Sequence, residues 1–192
     1  MRATSPKPSW LRTFARAVRS THDRQDLVWE LKRRRSGEPA LPPFPIRKVM
    51  VICQGNICRS PFAERQLAKH CPQLEVRSAG LKARNGDPAQ PAAARVGLEF
   101  GVTLDDHAAH LLRDVDVEWA DLILGMQGWH QASVHRRWPK ARERVRLLGD
   151  FLADAPHTIE DPWGAPDDYF HGVFEQIARA NTRIAELLDT TT

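Results

Sequence analysis

Val49-Met50-Val51-Ile52-Cys53-Gln54-Gly55-Asn56-Ile57-Cys58-Arg59-Ser60-Pro61 passes from an apolar run into a short polar turn. The apolar run reads as a buried strand, and residues 62–70 read as a helix. A strand, a tight turn and a helix N-terminus together make an anion cradle, because free backbone N–H groups and the positive end of the helix dipole point into the turn. Cys53 opens the cradle and Arg59 follows six residues later. The anion site therefore carries a nucleophile.

Working outward, residues 74–80 read as a second strand ending in Gly80. Asp87-Pro88 opens a helix as N-cap and first helical position, and Gly101 stops it. Residues 104–110 are polar and irregular. Residues 120–126 read as a third strand, followed by a helix to about Trp138, and residues 144–148 as a fourth. Asp161-Pro162-Trp163-Gly164 is a turn. A last helix over 167–188 places Tyr169, Val173, Ile177, Ile184 and Leu188 on one face, with Phe170 and Phe174 beside it. Strands alternating with helices predict a single α/β domain: a four-stranded parallel sheet flanked by helices on both faces, joined by right-handed crossovers. Ligands in such sheets bind at the carboxyl ends of the strands, where Cys53 would lie.

The chain has 192 residues and a net charge of +4. Residues 1–45 hold ten Lys/Arg against four Asp/Glu, a net of +6, and residues 46–192 carry −2. The expected division is a basic N-terminal extension with a Pro-rich linker over 1–45 and a core domain over 46–192. The basic charge sits in the extension, and no zinc-finger, RNA-recognition or helix-turn-helix pattern is present, so no nucleic-acid partner is expected. No apolar run approaches the ~20 residues that cross a bilayer. Three cysteines make no disulfide framework and fit a reducing, cytoplasmic setting.

Within the extension, Ser9 begins a stretch with Trp10, Leu11, Phe14 and Val18 on one helical side. Leu27, Val28 and Leu31 continue it or form a second short helix ending in Lys32-Arg33-Arg34-Arg35. Residues 9–35 fit a membrane-surface or protein-binding arm. The acid-free, Arg-rich first 22 residues also fit a transit peptide, and a solvated tail or a helix packed on the core fits equally. All of these remain open at this level.

A thiol attacks only as thiolate. Its free pKa near ~8.5 falls to between ~3.5 and ~7.5 beside a helix N-terminus or a cation. Arg59 offers a planar fork matched to two phosphoryl oxygens, which lysine does not. Gly55 permits the tight turn, Asn56 tolerates the left-handed conformation, and Ser60 is placed to donate its hydroxyl to the cysteine sulfur. No Gly-Lys-Ser/Thr follows, which argues against a Walker loop.

Cys53 to Pro61 closely resembles the Cys-x-Gly-Asn-Ile-Cys-Arg-Ser-Pro loop of the low-molecular-weight protein tyrosine phosphatases. Ser78-Ala79-Gly80, Asp121-Leu122-Ile123 with Met126, and the distant Asp161-Pro162-Trp163 are similar to further segments of that family, so the likeness spans residues 46–189. It implies a metal-independent, cofactor-free phosphoric monoester hydrolase acting on phosphotyrosine proteins and small aryl phosphates through a cysteinyl-phosphate. Cys53 would be the nucleophile, Arg59 the phosphate clamp and Asp161 the general acid and base. Gln54, Gly55, Asn56, Ile57, Cys58, Arg59 and Ser60 would surround the phosphate. Asn56, Ser60, Ser78 and His107 would brace the loop, and Trp163 would wall the substrate ring. The chain departs from the family at Gln54, where an apolar residue or Thr is frequent, and at His110, where an arginine is common. It also departs at Trp163-Gly164, where the animal branch has two tyrosines.

Each residue also has a plainer reading. A lone cysteine is commonly a small buried hydrophobe, which suits Cys71. Cys58 is either inert packing or the partner of Cys53 in an oxidative disulfide. A zinc site of Cys53, Cys58 and Cys71 lacks the usual spacing. Asp161 also reads as an ordinary turn residue and His107 as a surface histidine. Three rival functions share the loop. An arsenate reductase would need relay cysteines, and residues 82–110 hold none. Phosphoarginine phosphatases carry Thr where Ile57 stands. A non-enzymatic phosphate binder has no need of Cys53, Arg59 and Asp161 together.

Overall fold

The computed structural model describes residues 20–36, 40–154 and 156–189. The helix expected from Ser9, and part of the Pro-rich linker, lie outside them. Four strands, β1 (Lys48–Cys53), β2 (Glu75–Gly80), β3 (Leu122–Gly125) and β4 (Val145–Leu147), form one parallel sheet in the order β2-β1-β3-β4. The chain leaves β1 to pair on one side and returns to pair on the other. The carboxyl end of β1 is thus the topological switch point, the crevice where ligands bind in open α/β sheets.

β1 is buried on both faces, which is why it reads as an unbroken apolar run. Val49, Val51 and Cys53 face one core with α2 (Arg59–His70), α3 (Pro91–Glu99) and α6 (Asp167–Asp189). Met50 and Ile52 face a second core with α4 (Asp114–Trp119) and α5 (Gly128–Arg137). Phe62 of α2 stacks on Phe174 of α6 with centroids 3.8 Å apart and planes 6° from parallel. Burial of such a ring stabilises by about 1.5–3 kcal/mol. Short 3₁₀ segments, Pro139–Arg144 and Leu148–Phe151, flank β4.

Two local expectations are corrected, and one short helix, α4, had no expectation at all. Asp87-Pro88 does not open a helix: α3 starts at Pro91, with the Gln90 side chain accepting from Ala93 N. Gly101 does end it, at φ +67°. The short α4 falls in a stretch with no apolar period to announce it. On α6 the inward face carries Phe170 and Phe174, both fully buried, while Tyr169 is exposed.

Of the extension, Thr21–Ser36 is one helix, α1. Ser20 Oγ accepts from Asp23 N at its start. Packing on the core is the reading seen here, and much of the contact is polar. Asp26, Trp29 and Glu30 are buried, whereas Val28 is 52% and Leu31 42% exposed. Asp26, Glu30 and Arg33 fall at i, i+4 and i+7, one helical stripe. Arg33 Nη2 donates to Asp150 O at 2.6 Å, and His157 Nδ1 lies 3.2 Å from Glu30 Oε1. Gly128, at the start of α5, receives this helix so closely that a Cβ there would lie 2.8 Å from Trp29 Cβ and 2.9 Å from Gln25 O.

Candidate active site

Cys53 ends β1, and its Sγ lies 3.0 Å from Ser60 Oγ and accepts from Asn56 N at 3.2 Å. A hydroxyl and a backbone N–H therefore converge on one sulfur. Asn56 adopts φ 55°, the left-handed turn of the loop. Gly55 is not left-handed, and a Cβ on it would meet only the Ile57 side chain, at 3.5 Å. The special backbone thus belongs to Asn56, not to the glycine. The close approach is at Gly80, where a Cβ would sit 2.8 Å from Gln54 O and 2.9 Å from Asn56 N.

The bracing residues lie behind the loop. Asn56 Nδ2 donates to Ser60 Oγ at 2.9 Å and to Ser78 Oγ at 2.8 Å. Ser78 Oγ donates in turn to Glu64 Oε2 at 2.5 Å. Ser60 Oγ accepts from Asn56, and toward a Cys53 thiolate, which has no proton to give, its hydroxyl donates. Asn56 Oδ1 accepts from His110 N at 2.8 Å, and His107 Nε2 lies 2.6 Å from Asn56 O. His110, noted above for its departure from the family pattern, contributes its backbone to Asn56, and its ring contacts Asp116 at 2.8 Å.

Arg59 is the first residue of α2 and is buried. Its Nη1 donates to Gln127 Oε1 at 2.8 Å and to Ile159 O at 3.0 Å. Its Nη2 pairs with Asp161 Oδ2 at 2.7 Å. Nε is buried without a hydrogen-bond partner. Asp161 Oδ1 accepts from Trp163 N at 3.2 Å, a local turn bond, and Trp163 is 70% exposed. Cys58, at the N-cap of α2, makes no side-chain cap, so the first helical amides keep their donors for the loop side. Burial, then the nearby Cys53, pushes the Cys58 thiol well up.

Cys53, Gln54, Gly55, Ile57, Cys58, Arg59, Lys82, Asp161 and Trp163 line a cavity of about 290 Å³. That volume suits a phosphoryl group with one ring. The side chains of Asn56 and Ser60 are wholly buried and stand behind this lining. The fold thus brings Cys53, Arg59, Asp161 and Trp163 to one crevice from both ends of the domain. A larger cavity, about 690 Å³, lies beside α6. Its cations are already committed: Arg33 to Asp150, Arg179 to Asp154 and Arg183 to Glu186.

Residues 48–191 match the model of the low molecular weight phosphotyrosine protein phosphatases. The chain belongs to the low molecular weight phosphotyrosine protein phosphatase family. As a member of it, the chain is a phosphatase, a phosphoric monoester hydrolase. It is 37% identical over 140 residues to the low molecular weight protein-tyrosine-phosphatase Etp of Escherichia coli K12, covering 73% of this chain and 93% of that one. It is 31% identical over 144 residues to the protein-arginine-phosphatase of Geobacillus stearothermophilus, covering 74% and 97%. The crystal structure of the tyrosine phosphatase Wzb of Escherichia coli K30, in complex with sulphate, superposes with a TM-score of 0.71 at 33% identity, covering 74% and 98%.

Two residues of this family member escaped the sequence reading. Lys82 enters the cavity because its N–H donates to Gln54 O at 2.8 Å, tying the turn after β2 to the loop. Gln127 meets Arg59 from the turn after β3. Neither carries a spacing signal, since only the sheet brings them near Cys53. His130 is fully buried, and its Nδ1 accepts from Met126 N and Gln127 N at 3.2 and 3.0 Å. Burial, then the Arg59 charge, holds its ring neutral, which leaves Nδ1 as the acceptor that caps α5.

Proposed function

We propose that this chain hydrolyses phosphotyrosine in proteins, and small aryl phosphates, by two displacements at phosphorus. Cys53 Sγ attacks, forming a sulfur–phosphorus bond as the aryl oxygen–phosphorus bond breaks. Asp161 gives its proton to the departing phenolate. Water then attacks the cysteinyl-phosphate, Asp161 takes the water's proton, and the sulfur leaves as thiolate beside the Ser60 hydroxyl and Asn56 N–H. Inorganic phosphate is the product. The fork of Arg59 and the loop amides hold the equatorial oxygens, where charge accumulates in the transition state.

The observation that carries this reading is the meeting of Cys53, Arg59 and Asp161 in one cavity. A hydroxyl and a backbone N–H lie on the sulfur, and the carboxylate stands on the guanidinium. The sulphate held by the related Wzb structure, a tetrahedral oxyanion, fits the same reading. The similarity to a protein-arginine-phosphatase raises phosphoarginine as the rival substrate. Ile57 and Trp163 line the cavity here, and an apolar wall facing a ring favours a flat aryl group over a guanidinium, which seeks acceptors. A cytoplasmic location accords with three buried free thiols; among the described residues no helix is long and apolar enough to cross a membrane. The test is turnover of aryl phosphate, phosphotyrosine peptide, phosphoarginine and arsenate by the wild type beside Cys53→Ser. Aryl phosphate and phosphotyrosine peptide should be the preferred substrates, with loss on substitution. Preferred turnover of phosphoarginine would move the substrate assignment.

A further inference from the structure

We infer that Asp26, on the extension helix and outside the matched phosphatase segment, is a positioning residue for Arg59, acting through the side-chain amide of Gln127. The inference rests on the reading of Arg59 as phosphate clamp. Asp26 Oδ1 accepts from Trp129 N at 2.8 Å, and Asp26 Oδ2 accepts from Gln127 Nε2 at 3.1 Å. The other end of that amide, Gln127 Oε1, accepts from Arg59 Nη1 at 2.8 Å and from Trp129 Nε1 at 3.3 Å.

Ionised, as it is above about pH 7, the Asp26 carboxylate offers only acceptors, so it fixes the Gln127 NH₂ toward itself and thereby fixes the carbonyl oxygen toward the arginine. Had the amide the opposite orientation, its NH₂ would face the Arg59 donors, and Arg59 Nη1 and Asp26 Oδ2 would each lose a partner. The extension thus decides which way a core glutamine points, and that glutamine helps decide where the phosphate fork lies. The contact is built. Gly128 leaves room for the α1 backbone, and His22 stacks on Trp129 with centroids 4.3 Å apart and planes 10° from parallel.

The experiment uses the full chain with Asp26→Asn, Gly128→Ala and the double variant. Steady-state rates with an aryl phosphate and the inhibition constant of inorganic phosphate are measured for each above about pH 7, where Asp26 is ionised, with circular dichroism to establish folding. Asparagine has one acceptor oxygen where the carboxylate supplies two, so it cannot serve Trp129 N and the Gln127 NH₂ together. Alanine at 128 is sound within a helix but meets Trp29 and pushes α1 away.

The expected result for Asp26→Asn is a fall in kcat/KM of about tenfold and a matching weakening of phosphate inhibition, the range of a lost hydrogen bond to a charged group. Gly128→Ala should do the same, and the double variant should be no worse than the stronger single one, since both act through one contact. Asp26→Asn with kcat/KM and phosphate inhibition within twofold of wild type would overturn the proposal, and so would losses that multiply in the double variant. Should Asp26→Asn fail to fold, Gly128→Ala alone decides by the same readouts. A wild type inactive on every phosphate ester would count instead against the function itself.

Discussion

Arg59 Nη2 and Asp161 Oδ2 stand 2.7 Å apart, joining the start of α2 to the turn before α6. The proposed clamp and the proposed acid are therefore linked, because a phosphoryl group taking the Arg59 fork meets the carboxylate already standing on Nη2. Asp161→Asn should reduce turnover of aryl phosphates with poor leaving groups by about 10²–10⁴, the usual span of a general acid. Good leaving groups should lose much less. The same substitution removes a negative charge from beside the anion site, so inorganic phosphate should inhibit the variant several-fold more tightly. A leaving-group series with phosphate inhibition curves checks both; weaker phosphate binding in Asp161→Asn would break the coupling.

Ser60 Oγ, 3.0 Å from the sulfur, is proposed to ease thiolate departure. Ser60→Ala should slow hydrolysis of the intermediate more than its formation, by on the order of 10–100-fold for a lost bond to a charged group. A burst of phenol before the steady state, larger than in the wild type, is the expected signature in stopped flow.

Burial, then bonds and charges that partly oppose one another, raises the Asp26 carboxyl to about 7. Trp129 N and Gln127 stabilise its charged form, while the carboxylates of Glu160 and Asp23 oppose it. A folded pKa above the unfolded value means that the proton favours the folded state. The resulting stabilisation is complete below about pH 4 and lost as pH rises through 7. Wild type should therefore lose stability relative to Asp26→Asn between pH 4 and pH 8, by at most about 4 kcal/mol. Neutral, buried His130 pulls the other way in acid, but it is common to both proteins and cancels in the difference. Urea midpoints across this range are the measurement; a difference that does not change with pH would show that Asp26 titrates normally.

Phe174 is fully buried, stacks on Phe62 and meets Phe170 edge-on at 6.0 Å. Phe174→Ala should cost about 3–5 kcal/mol in denaturant unfolding. A cost under about 1 kcal/mol would mean that α6 is not a main wall of the first core.

What the sequence makes legible, and what it hides, follows from the physics of each element. β1 and its loop are plain because a strand buried on both faces is a continuous apolar run ending in residues with few other uses. The docking of α1 is inverted to a hydropathy reading: Asp26 and Glu30 go inside while Val28 and Leu31 face water. Burial of those two carboxylates is supported by hydrogen bonds, with Trp29 supplying the apolar part of the contact, and no residue pattern reports a partner a hundred positions away. Tyr169 and Phe170 differ by one helical step, and which of them turns inward is settled by the stack around Phe174. Cys53, Arg59, Asp161 and Trp163 were each visible from the loop and its likeness. Lys82, Gln127 and Asp26 join them only through the sheet and α1.

The central claim is that a phosphoryl group passes through Cys53. Acid quench of the chain within milliseconds of mixing with an aryl phosphate, followed by peptide mass analysis, reads this directly. The account predicts a phosphoryl group on the peptide bearing Cys53, more of it in Ser60→Ala. Turnover at the wild-type rate with no phosphoryl group on Cys53, or turnover that survives Cys53→Ser, would contradict it.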